Sequence, residues 1–157
     1  MLVKTIVDED FTNYKKPSMV IGMPRCTFKC DKECGRQVCQ NMPLATAPDI
    51  DVDIDDIIRR YLNNSLTQAV VFGGLEGFDT PNELFSFIYR FREYSDDDIV
   101  VYTGYTEQEL SQEMRMLSVF RNIVVKFGRF IPGQQPHYDE VLGVDLASDN
   151  QYAKRIS

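Results

Sequence analysis

The residues best suited to chemistry are Cys26, Cys30, Cys34 and Cys39, spaced C-x3-C-x3-C-x4-C. Thiolates this close in sequence are soft ligands for zinc or for an iron–sulfur cluster. A structural zinc site would take all four in a closed tetrahedron. Zinc ligands, however, usually come as two short hooks set apart by a longer stretch, and no such gap is present here. An iron–sulfur cluster accepts tight clustering, because its irons are spread around a cube. The third reading is four ordinary thiols without metal, which the clustering disfavours.

The elements that must position these cysteines are short apolar runs. Ser18-Met19-Val20-Ile21-Gly22 reads as a strand leading directly into them. Ala69-Val70-Val71-Phe72 before Gly73, Ile99-Val100-Val101-Tyr102 before Thr103-Gly104, and Ile123-Val124-Val125 before Lys126-Phe127-Gly128 share one form: β-branched, apolar, ended by glycine. Strands buried on both faces read this way. Between them lie helical stripes. Ile54, Ile57, Ile58, Tyr61 and Leu62 follow helical spacing, with Asp53 placed to cap. Thr80-Pro81-Asn82-Glu83 has the form of a capping box ahead of Leu84, Phe87, Ile88 and Phe91, and Thr106 to Glu109 repeats it before Leu110, Met114 and Leu117. The predicted order is β, cysteine loop, α, β, α, β, α, β. That order implies an α/β fold with a mainly parallel sheet built from repeated βα units, either open or part of a barrel. The cysteines then sit at the carboxyl end of the sheet, where such folds place their active sites.

Other segments read as scaffolding. Ser95 to Asp98 is expected to be a solvated turn before the strand at Ile99, and Ile131 to His137 a loop, with His137 at the surface. Tyr138 to Ser157 carries no strong periodic element. Phe85, Phe87 and Phe91 are expected in the core.

The 157 residues carry a net charge of −7, with 43% hydrophobic and 26% charged residues. This is globular composition for one domain, 1–157, and it disfavours a nucleic-acid groove. No apolar run reaches the roughly 20 residues that span a bilayer, and the first ten residues lack the layout of a signal peptide. The expected setting is cytoplasmic, without membrane attachment, where clustered cysteines are metal or redox groups rather than disulfides.

A strand, a clustered-cysteine loop and a Gly-Gly after the next strand together resemble the radical S-adenosylmethionine (radical SAM) superfamily. Within it the chain most resembles the activating proteins of anaerobic ribonucleotide reductase. Asp10-Phe11-Thr12-Asn13 resembles that family's opening segment, and Cys39-Gln40-Asn41 its Cys-Tyr-Asn. Tyr102-Thr103-Gly104-Tyr105-Thr106 matches its Tyr-Thr-Gly-Tyr-Thr, Gly128-Arg129-Phe130 its Gly-Lys/Arg-Phe, and Ser148-Asp149-Asn150-Gln151 resembles its Ser-Ser-Asn-Gln. The family's C-x3-C-x2-C is not kept. Cys26 and Cys30 hold its first half, and Cys39, preceded by Val38, fits its third position better than Cys34, preceded by Glu33. Residues 32–37 then become an inserted turn and Cys34 an extra thiol. Gly-Gly-Glu-Pro appears as Gly73-Gly74-Leu75-Glu76-Gly77.

The resemblance implies a partial (β/α) barrel of the radical SAM type. It implies a [4Fe–4S] cluster on Cys26, Cys30 and Cys39, with one iron left for S-adenosyl-L-methionine. Gly73, Gly74, Glu76, Tyr102 and Tyr105 become the cosubstrate residues. The implied activity is reductive cleavage of the cosubstrate to methionine and a 5′-deoxyadenosyl radical, which then makes a glycyl radical on a large partner such as anaerobic ribonucleotide reductase. An electron donor such as flavodoxin is implied too. The alternatives are a radical enzyme acting on a small molecule and a non-catalytic zinc or iron–sulfur interaction module.

Overall fold

The computed structural model describes residues 1–157. The first elements are β1 (Leu2–Val3), β2 (Thr5–Asp10) and β3 (Ser18–Gly22). The cysteine region follows, carrying α1 (Lys29–Cys34) and α2 (Met42–Thr46). Next come β4 (Ile50–Asp51), α3 (Ile54–Leu62), β5 (Ala69–Gly73), α4 (Pro81–Phe91), β6 (Asp98–Tyr102), α5 (Ser111–Leu117) and β7 (Ile123–Phe127). The last part holds β8 (His137–Asp139), β9 (Val144–Leu146) and β10 (Tyr152–Arg155).

Six strands make one sheet in the order β10-β7-β6-β5-β3-β2. Its four central strands are parallel, and an antiparallel strand closes each edge, β2 on β3 and β10 on β7. The fold is therefore α/β with a mostly parallel sheet. Because β3, β5, β6 and β7 are neighbours in chain order, every crossover runs the same way and leaves its helix on the same face. The core agrees. Met19, Ile21, Val70, Phe72, Ile99, Val101, Ile123 and Val125 pack with Ile57, Ile58, Leu84, Phe87, Phe91, Met114 and Leu117 of α3, α4 and α5. Alternate strand residues, Val20, Val71, Val100 and Val124, face the other way, against Tyr14, Leu142, Leu146 and Val144. No helix covers that second face. The β8–β9 hairpin and its flanks do.

Several local expectations need correction. Residues 137–157 hold β8, β9 and β10, and β10 belongs to the main sheet: Tyr152 to Arg155 pair with Phe127 to Val124. His137 opens a strand rather than sitting in a loop, and its Nδ1 is buried without a partner. Asp98 is not in a solvated turn. It begins β6 buried, paired with Lys16 at 2.5 Å and Arg155 at 3.1 Å, and it accepts a hydrogen bond from Tyr14 Oη. Thr80 caps α4 by position only, because its hydroxyl is buried and unpartnered and Glu83 accepts from Leu2 N instead. The second box does form, with Thr106 N donating to Glu109 and Glu109 N to Thr106, but α5 starts only at Ser111. Asp53 caps α3 as expected, accepting from Asp55 N at 2.7 Å.

Candidate metal centre

The cysteine segment leaves β3 at its carboxyl end and is tied at once to the end of β5. Met23 N donates to Gly73 O, and Glu76 N donates to Arg25 O, both at 3.0 Å. Thr27 N donates to Asp79 at 2.6 Å, and Phe28 N donates to Cys26 Sγ at 3.3 Å. Phe28 adopts the left-handed conformation (φ 53°) and turns the chain into α1. Residues 32–34 are thus helical, not part of an open inserted turn. The reversal comes at Gly35, whose φ of 65° suits glycine as the residue after a helix.

A charge network holds α1 against the next loop. Arg129 donates through both terminal nitrogens to Glu109, at 3.0 and 2.6 Å, and its Nε lies 3.0 Å from Glu33 of α1. Lys29, also on α1, reaches Glu109 at 3.4 Å and sits 4.2 Å over the Tyr105 ring.

A cavity of about 460 Å³ opens on the helix-free face, at the carboxyl ends of the parallel strands. Its wall contains Cys26, Cys30 and Cys39 but not Cys34. Gly73, Gly74, Glu76 and Tyr102 also belong to it. Tyr105 does not: its hydroxyl donates to Asp79 at 2.6 Å and its ring is packed under Lys29. Tyr102 is held by donating to Asn13 O at 2.6 Å.

The two glycines differ in what they leave room for. A Cβ on Gly73 would meet Tyr102 Cβ at 3.6 Å, an ordinary contact. Gly74 has a φ of 75°, and a Cβ there would run into Leu44 Cδ2 of α2. Leu44 also lies 3.5 Å from where a Cβ on Gly22 would be. The absence of a side chain at Gly22 mainly admits Thr5, whose Cγ2 would lie 2.7 Å from such a Cβ. It is the bare Gly74 that seats Leu44, which anchors the chain just after Cys39, Gln40 and Asn41.

Glu76 is almost wholly buried. Its carboxylate accepts from Phe78 N at 3.2 Å, Thr103 Oγ1 at 2.8 Å and Gly104 N at 2.9 Å, clasping the loops after β5 and β6. Burial pushes its carboxyl above the usual range, against the pull of those donors. Burial likewise pushes the Cys26 thiol up to about 11 and raises Cys30, and the nearby charge of Cys39 adds to both. Cluster or metal loading must therefore displace thiol protons.

Lys126, the one cation on the cavity wall, is brought down to about 8 by burial, while the charges of Cys30 and Glu76 oppose the shift. Its Nζ donates to Gly128 O at 2.9 Å. A lysine inside the apolar run of β7 was the visible mark of this residue, which motif reading passed over.

The donor chemistry fits an iron–sulfur cluster. Three half-buried thiols line one cavity. No three His, Cys, Asp or Glu side chains stand close enough to hold a single metal ion. Tetrahedral zinc draws its sulfurs to about 2.3 Å from one point, whereas a cluster is ligated by thiolates set around its corners.

Residues 19–150 match the family described as the 4Fe-4S single cluster domain. The chain belongs to that family. It is an iron–sulfur protein, and the zinc alternative of the sequence reading gives way to a [4Fe–4S] cluster. No curated protein and no solved structure matches the chain. No helix is long and apolar enough to cross a membrane.

Proposed function

We propose that the protein is a radical S-adenosylmethionine activase, with its cluster held by Cys26, Cys30 and Cys39 and with Cys34 outside the ligand set. One observation carries this reading. Segments that resemble the activating proteins of anaerobic ribonucleotide reductase are scattered along the chain, yet each supplies the wall of the same cavity. Thr12 and Asn13 come from the first, Cys39, Gln40 and Asn41 from the second, and Gly73, Gly74 and Glu76 from the third. Tyr102, Thr103 and Gly104, then Gly128 and Phe130, then Gln151 come from the rest. Scaffold residues picked by chance along the sequence would not converge in this way. The same-handed winding of the sheet, with one face free of helices, supports the partial-barrel reading.

When bound by three thiolates, the cluster supplies an open iron and an electron for reductive cleavage of the sulfonium. The chain's own residues do the rest. The Gly73–Glu76 bend and Thr103-Gly104 offer backbone groups to the methionine end of the cosubstrate. Tyr102 and Val71 give an apolar wall, and the β8–β9 hairpin shields the cavity from water on the side opposite the helices. The partner would be a large glycyl radical enzyme, whose glycine loop completes the mouth, with an electron donor such as flavodoxin.

Anaerobic reconstitution tests the reading. Iron and sulfide should load in the native chain and in C34A, and fail in C26A, C30A and C39A. Reduced, loaded protein should turn S-adenosylmethionine into 5′-deoxyadenosine. Adding an anaerobic ribonucleotide reductase should give a glycyl doublet in electron paramagnetic resonance. A loaded, reduced sample with no cosubstrate-dependent spectral change refutes the radical assignment. Cosubstrate cleavage stimulated by a small metabolite, with no radical on any reductase, refutes the activase assignment.

A further inference from the structure

Cys34 stands one helical turn beyond Cys30 on α1, at the i, i+4 spacing that puts two side chains on one helix face. On spacing alone it is the obvious third thiol. The cavity nevertheless takes Cys39. The reason lies in Asp31. Its Oδ1 accepts from Val38 N at 2.7 Å and from Cys39 N at 2.8 Å. Two consecutive backbone amides thus close on one carboxylate oxygen, folding residues 35–39 back along α1 from the turn at Gly35. Bonds of this charge-assisted kind are the stronger class. They bring Cys39 to the wall that Cys26 and Cys30 share.

We infer that Asp31 is a positioning residue that selects Cys39 over Cys34 as the third thiol of the site. The inference rests on the ligand set proposed above and explains how an unusual cysteine spacing presents three thiols to one cavity. Asp31 does not belong to the cavity wall. It acts through the amides of Val38 and Cys39. Without it, the 35–39 segment loses its tether, and Cys39 is no longer held at the wall that Cys26 and Cys30 share.

The test compares C34A, C39A, D31A, D31N, D31A/C34A and D31A/C39A, each reconstituted anaerobically and assayed for iron and sulfide per chain. C34A should hold its cluster and C39A should not. D31A should load poorly, because Cys39 is no longer held at the cavity wall and Cys34 stands outside it. D31A/C34A should fall about tenfold below C34A, two charge-assisted hydrogen bonds being lost, while D31A/C39A should load no better than C39A. D31N keeps an acceptor oxygen and should recover part of the loading lost in D31A. A second readout uses the cluster-free protein, where a loss of loading cannot confuse the result. Timed alkylation with mass spectrometry should show Cys39 labelled several-fold faster in D31A than in the native chain, with Cys26 unchanged. Equal iron in D31A/C34A and C34A, with Cys39 labelling unchanged, overturns the role of Asp31 and leaves the ligand set standing. Loss of iron in C34A with retention in C39A overturns both.

Discussion

Replacing Gly74 with alanine asks what the bend after β5 is shaped around. Two costs follow from its geometry. A non-glycine residue at φ 75° pays for the left-handed conformation, about 1–2 kcal/mol. The new Cβ also collides with Leu44 Cδ2, the far end of a flexible side chain. Leu44 must leave its rotamer, at about 0.5–1.5 kcal/mol. The sum is about 1.5–3.5 kcal/mol, which for a chain of this size lowers the unfolding midpoint by about 3–14 °C. Leu44→Ala alone should cost about 1–2 kcal/mol, below the usual range for a buried leucine because Leu44 is only partly buried. In the double variant the collision is gone and only the backbone strain remains. Its loss should therefore be smaller than the sum of the single losses by about 0.5–1.5 kcal/mol. Urea unfolding of the cluster-free chains measures all three. Strict additivity, or a neutral Gly74→Ala, refutes the account of Leu44 seated against Gly74. If Gly74 shapes a ligand site alone, the cosubstrate affinity will fall while the unfolding energy stays put.

The remaining expectations concern the ties around the sheet. Burial pushes the Asp98 carboxyl up, but hydrogen bonds from Lys16, Arg155 and Tyr14 outweigh it and hold it below the usual carboxylate range. A lowered folded pKa gives stability that is present above the unfolded value and lost as pH falls through the folded one. Asp98→Asn should cost about 2 kcal/mol at neutral pH, less than a wholly buried pair because Lys16 and Arg155 stay 40% and 44% exposed. Acid titration of the unfolding energy should be flatter in the variant, and an unchanged acid slope would count against the pairing. Arg129→Met should cost about 1 kcal/mol and remove the bridge from Glu33 to Glu109, leaving α1 held to that loop by Lys29 alone, so that Cys30 in the cluster-free protein is alkylated faster. No change in that rate would mean that the network does not restrain the cysteine helix.

The central strands were legible because β3, β5, β6 and β7 are covered on both faces and so are apolar at nearly every position. The edges were not. β2 ends in Asp8, Glu9 and Asp10, and β10 has Tyr152, Lys154 and Arg155 exposed, so neither carries a periodic apolar mark. Asp98 sits in a run of acidic residues and is distinguished only by its partners, which come from Lys16 and Arg155 at distant points in the sequence. Cys26, Cys30 and Cys39 share one cavity wall, whereas nothing local marked Asp31 as the acceptor for amides seven and eight residues on. Side-chain hydrogen bonds across loops leave no period to read.

The alternation along the parallel strands has a consequence for how such a protein can change. In β3, β5, β6 and β7 one parity, such as Ile21, Phe72, Val101 and Val125, packs under the helices, while the other, Val20, Val71, Tyr102 and Lys126, lines the cavity. Stability and chemistry are thereby written on alternate letters of the same words. Substitutions at cavity positions can reshape the ligand site while leaving the helix-covered core in place, although Val20, Val71 and Tyr102 also pack the opposite side of the sheet. The same arrangement makes register unforgiving. A slip of one residue in any of these strands would turn Lys126 or Tyr102 toward the helices and bring core residues into the cavity, destroying fold and site in a single step.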